Sequence, residues 1–139
     1  MIDAAVLDAS IAVKWVLDEA GSDKARTLSA AVLEAPDFLM VECANILWKK
    51  VRVGDLSLEG AMARLDLLSR APIALNSTHD LLESALRLAA RLKHPVYDCI
   101  YLALAVRREV PLITADRRFA AAIRRDTGLR HFSLHLDQV

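Results

Sequence analysis

The sequence is poor in the residues that punctuate or staple a chain. Of its 139 residues four are glycine and four are proline, too few for an all-β protein of many tight turns; the abundance of alanine, leucine and arginine favours helices. The only two cysteines, Cys43 and Cys99, cannot build a disulfide framework and lack the spacing of a structural zinc site, so both are expected to be small core residues. Net charge is absent as well. Eighteen basic residues balance 18 acidic ones, so any polyanion must be met by local patches or by a bound cation. Aromatics make up only 5% of the chain, which disfavours an extended base-stacking platform. The longest apolar run, Cys99 to Val106, falls far short of the roughly 20 residues of a membrane-spanning helix. Asp3 and Asp8 interrupt the start, where a signal peptide needs an apolar stretch. The expectation is a cytoplasmic protein with no membrane association.

What is present is the balance of a globular chain, 55% apolar and 26% charged. No repeat, low-complexity tract or linker divides it, so a single domain over residues 1–139 is expected. Ala4 to Leu7 reads as a strand ending at Asp8, followed by a helix through Ile11, Trp15 and Val16. Ser22 to Leu33 predicts a second helix, Glu34-Ala35-Pro36 a short strand, and Leu39 to Val53 a third helix stopped by Gly54. Ser57 to Arg70 predicts a helix and Pro72 to Leu75 a strand. Ser77-Thr78-His79-Asp80 resembles a capping box opening a helix to about Leu92. Tyr97 to Glu109 is apolar nearly all round, as in a buried helix; Val110 to Thr114 reads as a central strand, Arg117 to Arg125 as a helix, and His131 to Leu134 as an edge strand. Strands alternating with helices imply parallel crossovers and a doubly wound α/β sheet, whose ligands gather at the carboxyl ends of the strands.

Four acids stand in strongly apolar surroundings: Asp8, Glu42, Asp98 and Asp116. Each alone has an ordinary explanation as a helix cap, a first-turn carboxylate or a turn residue. Together they pose a desolvation problem that no lysine or arginine within those runs relieves, and convergence on a hard divalent cation with oxygen ligands is the economical solution. Nothing resembles a covalent nucleophile. None of His79, His94, His131 and His135 stands in a strand-end motif, and all are expected to be surface or structural residues. Lys49, Lys50 and Arg52 follow Glu42, Lys93 and His94 precede Asp98, and Arg117 and Arg118 follow Asp116, a distribution suited to a polyanion entering an acidic cleft.

Leu7-Asp8-Ala9-Ser10, Glu42-x-x-Asn45, Tyr97-Asp98-Cys99-x-Tyr101-Leu102-Ala103 and Thr114-Ala115-Asp116-Arg117-x-Phe119 occur in the order typical of PIN domains, and the resemblance spans almost the whole chain. In length and motif spacing the sequence is most similar to the toxin halves of VapBC-type toxin-antitoxin systems, endoribonucleases that act with Mg²⁺ or Mn²⁺. The resemblance implies a three-layer α/β/α PIN-like fold with a central, mostly parallel sheet. It implies hydrolysis of RNA phosphodiesters at a metal pocket of Asp8, Glu42, Asp98 and Asp116, with Ser10 and Thr114 as supporting hydroxyls. Asn45, one turn beyond Glu42, is placed to orient that acid or reach a phosphate. Where many relatives carry a further acid, two residues after Asp116, this sequence has Arg118, which leaves the number of cations open. The implied partners are RNA, a small DNA-binding VapB-type antitoxin and a second copy in a homodimer; Trp15 and Trp48 are expected in the core or at an interface. Two other readings stand beside this one: a PIN-fold binding module without catalysis, and a phosphoacceptor receiver domain, although the latter wants paired acids after the first strand.

Overall fold

The computed structural model describes residues 2–139. Its sheet contains β1 (Ala4–Leu7), β2 (Val32–Pro36), β3 (Ile73–Asn76), β4 (Leu112–Thr114) and β5 (Ser133–His135). Their order is β3-β2-β1-β4-β5, and every neighbouring pair is parallel. The connecting helices are α1 (Ala9–Ala12), α2 (Ser22–Thr27), α3 (Phe38–Arg52), α4 (Leu58–Ser69), α5 (Leu82–Leu92), α6 (Val96–Arg108) and α7 (Arg117–Arg124). From β1 the chain moves outward through β2 and β3, then returns to lay β4 on the other side of β1. The strand order therefore reverses between β1 and β4, and the crevice beyond their carboxyl ends is the usual ligand site of such a sheet. A receiver domain has the order 2-1-3-4-5, so this sheet rules that reading out.

Alternation along the strands builds two cores, one on each face. Val6, Ala35 and Leu112 point into the larger one, which α3, α4, α5, α6 and α7 cover. Ala5, Leu7, Leu33 and Ile113 point into a smaller one, closed by Ile11, Ala25, Leu28 and Leu136. This is the three-layer α/β/α arrangement. Helix α6 is the centre of the larger layer: Cys99 to Ala105 are all buried, as their unbroken apolar sequence predicts. Cys43 and Cys99 are both free and buried. Gly54 ends α3 in a left-handed conformation (φ 84°) that costs glycine little.

Several boundaries differ from the sequence expectation. The first helix is a single turn, continued by a 3-10 turn over Val13–Trp15. The second helix stops at Thr27, because Val32 and Leu33 pair with β1 as the start of β2. The segment after Phe132 pairs with β4 only from Ser133 to His135. No capping box forms at Ser77 to Asp80. Instead the Thr78 hydroxyl accepts from the Phe38 amide at 2.9 Å and the Thr78 amide donates to Asp37 at 3.1 Å, so these polar groups tie the start of α3 to the end of β3. Trp48 lies outside the core, half exposed beneath the Arg52 guanidinium at 5.0 Å, whereas the Trp15 indole is anchored to the Ala25 carbonyl at 2.8 Å.

Candidate active site

Asp8 is the residue that β1 delivers to the crevice. Its amide donates to the Ile113 carbonyl of the neighbouring strand at 3.3 Å, and its carboxylate caps α1 by accepting from the Ser10 amide at 3.1 Å. The Ser10 hydroxyl donates to the same oxygen, Oδ1. That hydroxyl also accepts from the Ala115 amide at 2.9 Å and lies 3.5 Å from the Thr114 hydroxyl, which accepts from the Asp116 amide at 3.0 Å. Ser10 and Thr114 thus clamp the ends of β1 and β4 together. Asp116 in turn caps α7, accepting from the Phe119 amide at 3.1 Å, and is exposed to solvent.

Glu42 and Asp98 come from helices on the larger face. Glu42 projects from α3 and accepts from the Tyr101 hydroxyl at 2.5 Å. Asp98, in the first turn of α6, meets His94 Nε2 at 2.6 Å. Asn45 is exposed and makes no hydrogen bond to Glu42 among the described residues; the group that orients Glu42 is Tyr101.

The four carboxylates share a pattern. In each, one oxygen is tied to the protein: Asp8 Oδ1 by Ser10, Glu42 Oε1 by Tyr101, Asp98 Oδ2 by His94 and Asp116 Oδ1 by Phe119. The second oxygens of Glu42, Asp98 and Asp116 have no hydrogen-bond partner among the described residues, whereas Asp8 is almost fully buried and the Thr114 hydroxyl also acts on its carboxyl. None of the four pairs with a lysine or arginine among the described residues.

The electrostatic consequence is clearest at Asp8. Burial, reinforced by the charges of Asp98 and Glu42, pushes its carboxyl up to about 7, although the Ser10 and Thr114 hydroxyls work the other way. Glu42 is also raised, by burial first and then by Asp98, against the lowering effect of Tyr101. Asp8, Glu42 and Asp98 therefore form an interacting set, while Asp116 joins them through the Thr114–Ser10 clamp. Burial also pushes the Cys43 and Cys99 thiols to about 12, leaving neither as a ready nucleophile.

The donors fit a hard cation in kind, with carboxylate oxygens available and a shortage of positive charge. Among the described residues, however, no three carboxylate, imidazole or thiol side chains stand close enough together to hold an ion in common.

Residues 5–124 match the family described as PIN domain. The chain belongs to the PIN domain family. This PIN domain is 35% identical over 119 residues to a ribonuclease VapC3 of Pyrobaculum aerophilum, covering 83% of this chain and 91% of that protein. It is 34% identical over 97 residues to a ribonuclease VapC1 of Mycobacterium tuberculosis, covering 68% of this chain and 71% of the relative. It is thus a VapC-type PIN domain. Its fold matches a Pyrobaculum aerophilum crystal structure with a TM-score of 0.72 at 21% identity, over 97% of this chain and 85% of the other. A second match is the Mycobacterium tuberculosis VapC20 toxin, described as cleaving the sarcin-ricin loop, with a TM-score of 0.66 at 19% identity over 85% and 94% of the two chains.

The sequence reading named Tyr101 and His94 without giving either a contact to the acids. Tyr101 lies three residues after Asp98, on the acid's side of α6, whereas His94 precedes α6 and reaches Asp98 from the corner between α5 and α6. Only the packing reveals that Tyr101 turns to Glu42 on another helix.

Proposed function

We propose that this PIN domain is a divalent-cation-dependent endoribonuclease and the toxin of a type II toxin-antitoxin pair, acting in the cytoplasm with Mg²⁺ or Mn²⁺ at Asp8, Glu42, Asp98 and Asp116. The reading is supported by four acids without a lysine or arginine partner among the described residues, of which Asp8 and Glu42 are both raised in part by the charge of Asp98. Burial raises the Asp8 carboxyl to about 7 and raises Glu42 in the same sense, and added positive charge favours the ionised form of both. When bound, the cation supplies Lewis acidity toward the phosphoryl oxygens and toward water.

The chain's own residues divide the remaining work. Ser10 and Thr114 hold Asp8 and the Asp116 backbone at the sheet edge. Lys49, Lys93 and Arg118, which have no acidic partner among the described residues, are available to flanking phosphates. Exposed Asn45 can offer its amide to a phosphate as well.

An RNase of this kind needs external restraint. A VapB-type antitoxin fits as an arginine-bearing segment that pairs with the acids and an amphipathic helix on nearby apolar surface. The groove between α3 and α4, about 170 Å³ and lined by Leu47, Trp48, Val51, Leu58, Met62 and Leu65, suits that helix. A homodimer is part of the same reading, with Val41 and Tyr97, the latter stacked on Phe38 at 6.0 Å, as exposed apolar surface for it. The test is cleavage of single-stranded and structured RNA with and without chelator. Activity is expected only with Mg²⁺ or Mn²⁺, and undiminished cleavage in EDTA defeats the cation-dependent reading.

A further inference from the structure

We propose that Tyr101 and His94 are positioning residues of the acidic site, each fastening one oxygen of its carboxylate so that the other is presented to a cation. The proposal rests on the cation-dependent reading above and assigns the parts that set the aim of Glu42 and Asp98.

Tyr101 is fully buried in the larger core. Its hydroxyl is the exception to that apolar setting, and its one hydrogen-bond partner among the described residues is Glu42 Oε1 at 2.5 Å. A phenol in a core needs a partner, and this one reaches from α6 to α3, across 59 residues of sequence, to hold a half-buried carboxylate. Because the ring is fully buried, the core fixes where the hydroxyl oxygen sits, and the O–H turns from there to Glu42 Oε1.

His94 is built to the same purpose from a different part of the fold. It occupies the corner between α5 and α6, just after Lys93, whose left-handed conformation (φ 53°) turns the chain. Its amide is bonded to the Ala89 carbonyl at 3.1 Å. Its ring stacks on Phe119 of α7, centroids 4.7 Å apart and planes 23° from parallel. Against an ionised carboxylate the imidazole Nε2 carries the proton, so His94 donates to Asp98 Oδ2. Phe119 is also the residue whose amide holds Asp116 Oδ1. One ring stack therefore supports two of the four acids, Asp98 through the imidazole and Asp116 through the amide beneath it.

A hydrogen bond to the outer oxygen of a ligating carboxylate fixes its orientation, and losing such a partner typically costs about 10–100-fold in metal affinity. The experiment measures Mn²⁺ binding to the full chain by electron paramagnetic resonance of the free ion, for wild type, Tyr101→Phe, His94→Phe and His94→Gln. Tyr101→Phe removes the hydroxyl and keeps the ring; His94→Phe keeps the stack on Phe119 and removes the donor. Each is expected to weaken Mn²⁺ by about 10-fold or more. His94→Gln, whose amide nitrogen can take the place of Nε2, is expected to recover most of the loss. A role in packing alone would lower thermal stability and leave Mn²⁺ affinity unchanged. Wild-type binding with unaltered affinity in both phenylalanine variants overturns the positioning roles and spares the cation reading. Failure of the wild-type chain to bind Mn²⁺ overturns both. Should Tyr101→Phe fail to fold, the two His94 variants decide.

Discussion

The amide of Asp8 donates to the carbonyl of Ile113 at 3.3 Å, fastening the acid that ends β1 to the strand that leads to Asp116. Two carboxylates far apart in sequence are thereby held at one sheet edge by the same parallel pairing that builds the core. The site is an extension of the sheet, and changes at its acids register in stability as well as in chemistry.

Asp8→Asn tests this link through pH. The Asp8 carboxyl rises from 3.8 to about 7 in the folded chain, so between those values the folded state binds more protons than the unfolded one. Its contribution is fully present below the unfolded value and is lost as pH rises through about 7. Metal-free wild-type protein is expected to lose up to a few kcal/mol over that window, with Glu42, raised in the same sense, adding to the slope. The asparagine variant should show a flatter profile in urea denaturation with EDTA present; an unchanged slope would remove Asp8 as its source.

Ser10→Ala removes a hydroxyl that donates to Asp8 and accepts from the Ala115 amide. The expected destabilisation is about 1–3 kcal/mol, because a backbone amide at the β4 end is left without its partner. The Asp8 carboxyl should titrate still higher, since Ser10 is the largest influence holding it down. Carboxyl NMR titration reads the second effect independently of the first, and a downward shift would contradict the clamp.

For Asp98→Asn the expected result is a folded protein without cleavage activity. Asp98 repels both Asp8 and Glu42, so neutralising it should keep or raise metal-free stability. Activity should fall by more than about 100-fold, beyond the loss typical of an outer partner. Circular dichroism and RNA cleavage on the same preparation test the pair of outcomes. A variant that unfolds while its folded fraction keeps full specific activity returns Asp98 to a capping role.

In cells, the wild-type chain expressed alone should arrest growth, and Asp8→Asn should relieve the arrest. A co-expressed small antitoxin with an arginine-bearing segment should restore growth and copurify. Soluble wild-type protein that cleaves no cellular RNA and leaves growth unaffected would defeat the toxin reading.

The sequence by itself determined the strand-helix alternation and the parallel sheet, because each of these is written in local pattern. Val6-Leu7-Asp8 and Leu112-Ile113-Thr114 announce buried strands running into polar ends. The continuous apolar stretch of α6 announces a central helix. Local pattern failed where pairing or packing overrode it. Val32 and Leu33 continue a helical period but belong to β2, since β1 offers them a backbone partner. Thr78 has the spacing of a cap for the helix that follows, yet its hydroxyl serves Phe38, 40 residues earlier. The outer supports of the site are tertiary in the same way. Nothing local marks the Tyr101 hydroxyl for Glu42 or the His94 ring for Phe119, because a hydrogen-bond direction and a ring stack between helices are fixed only when the core closes around them.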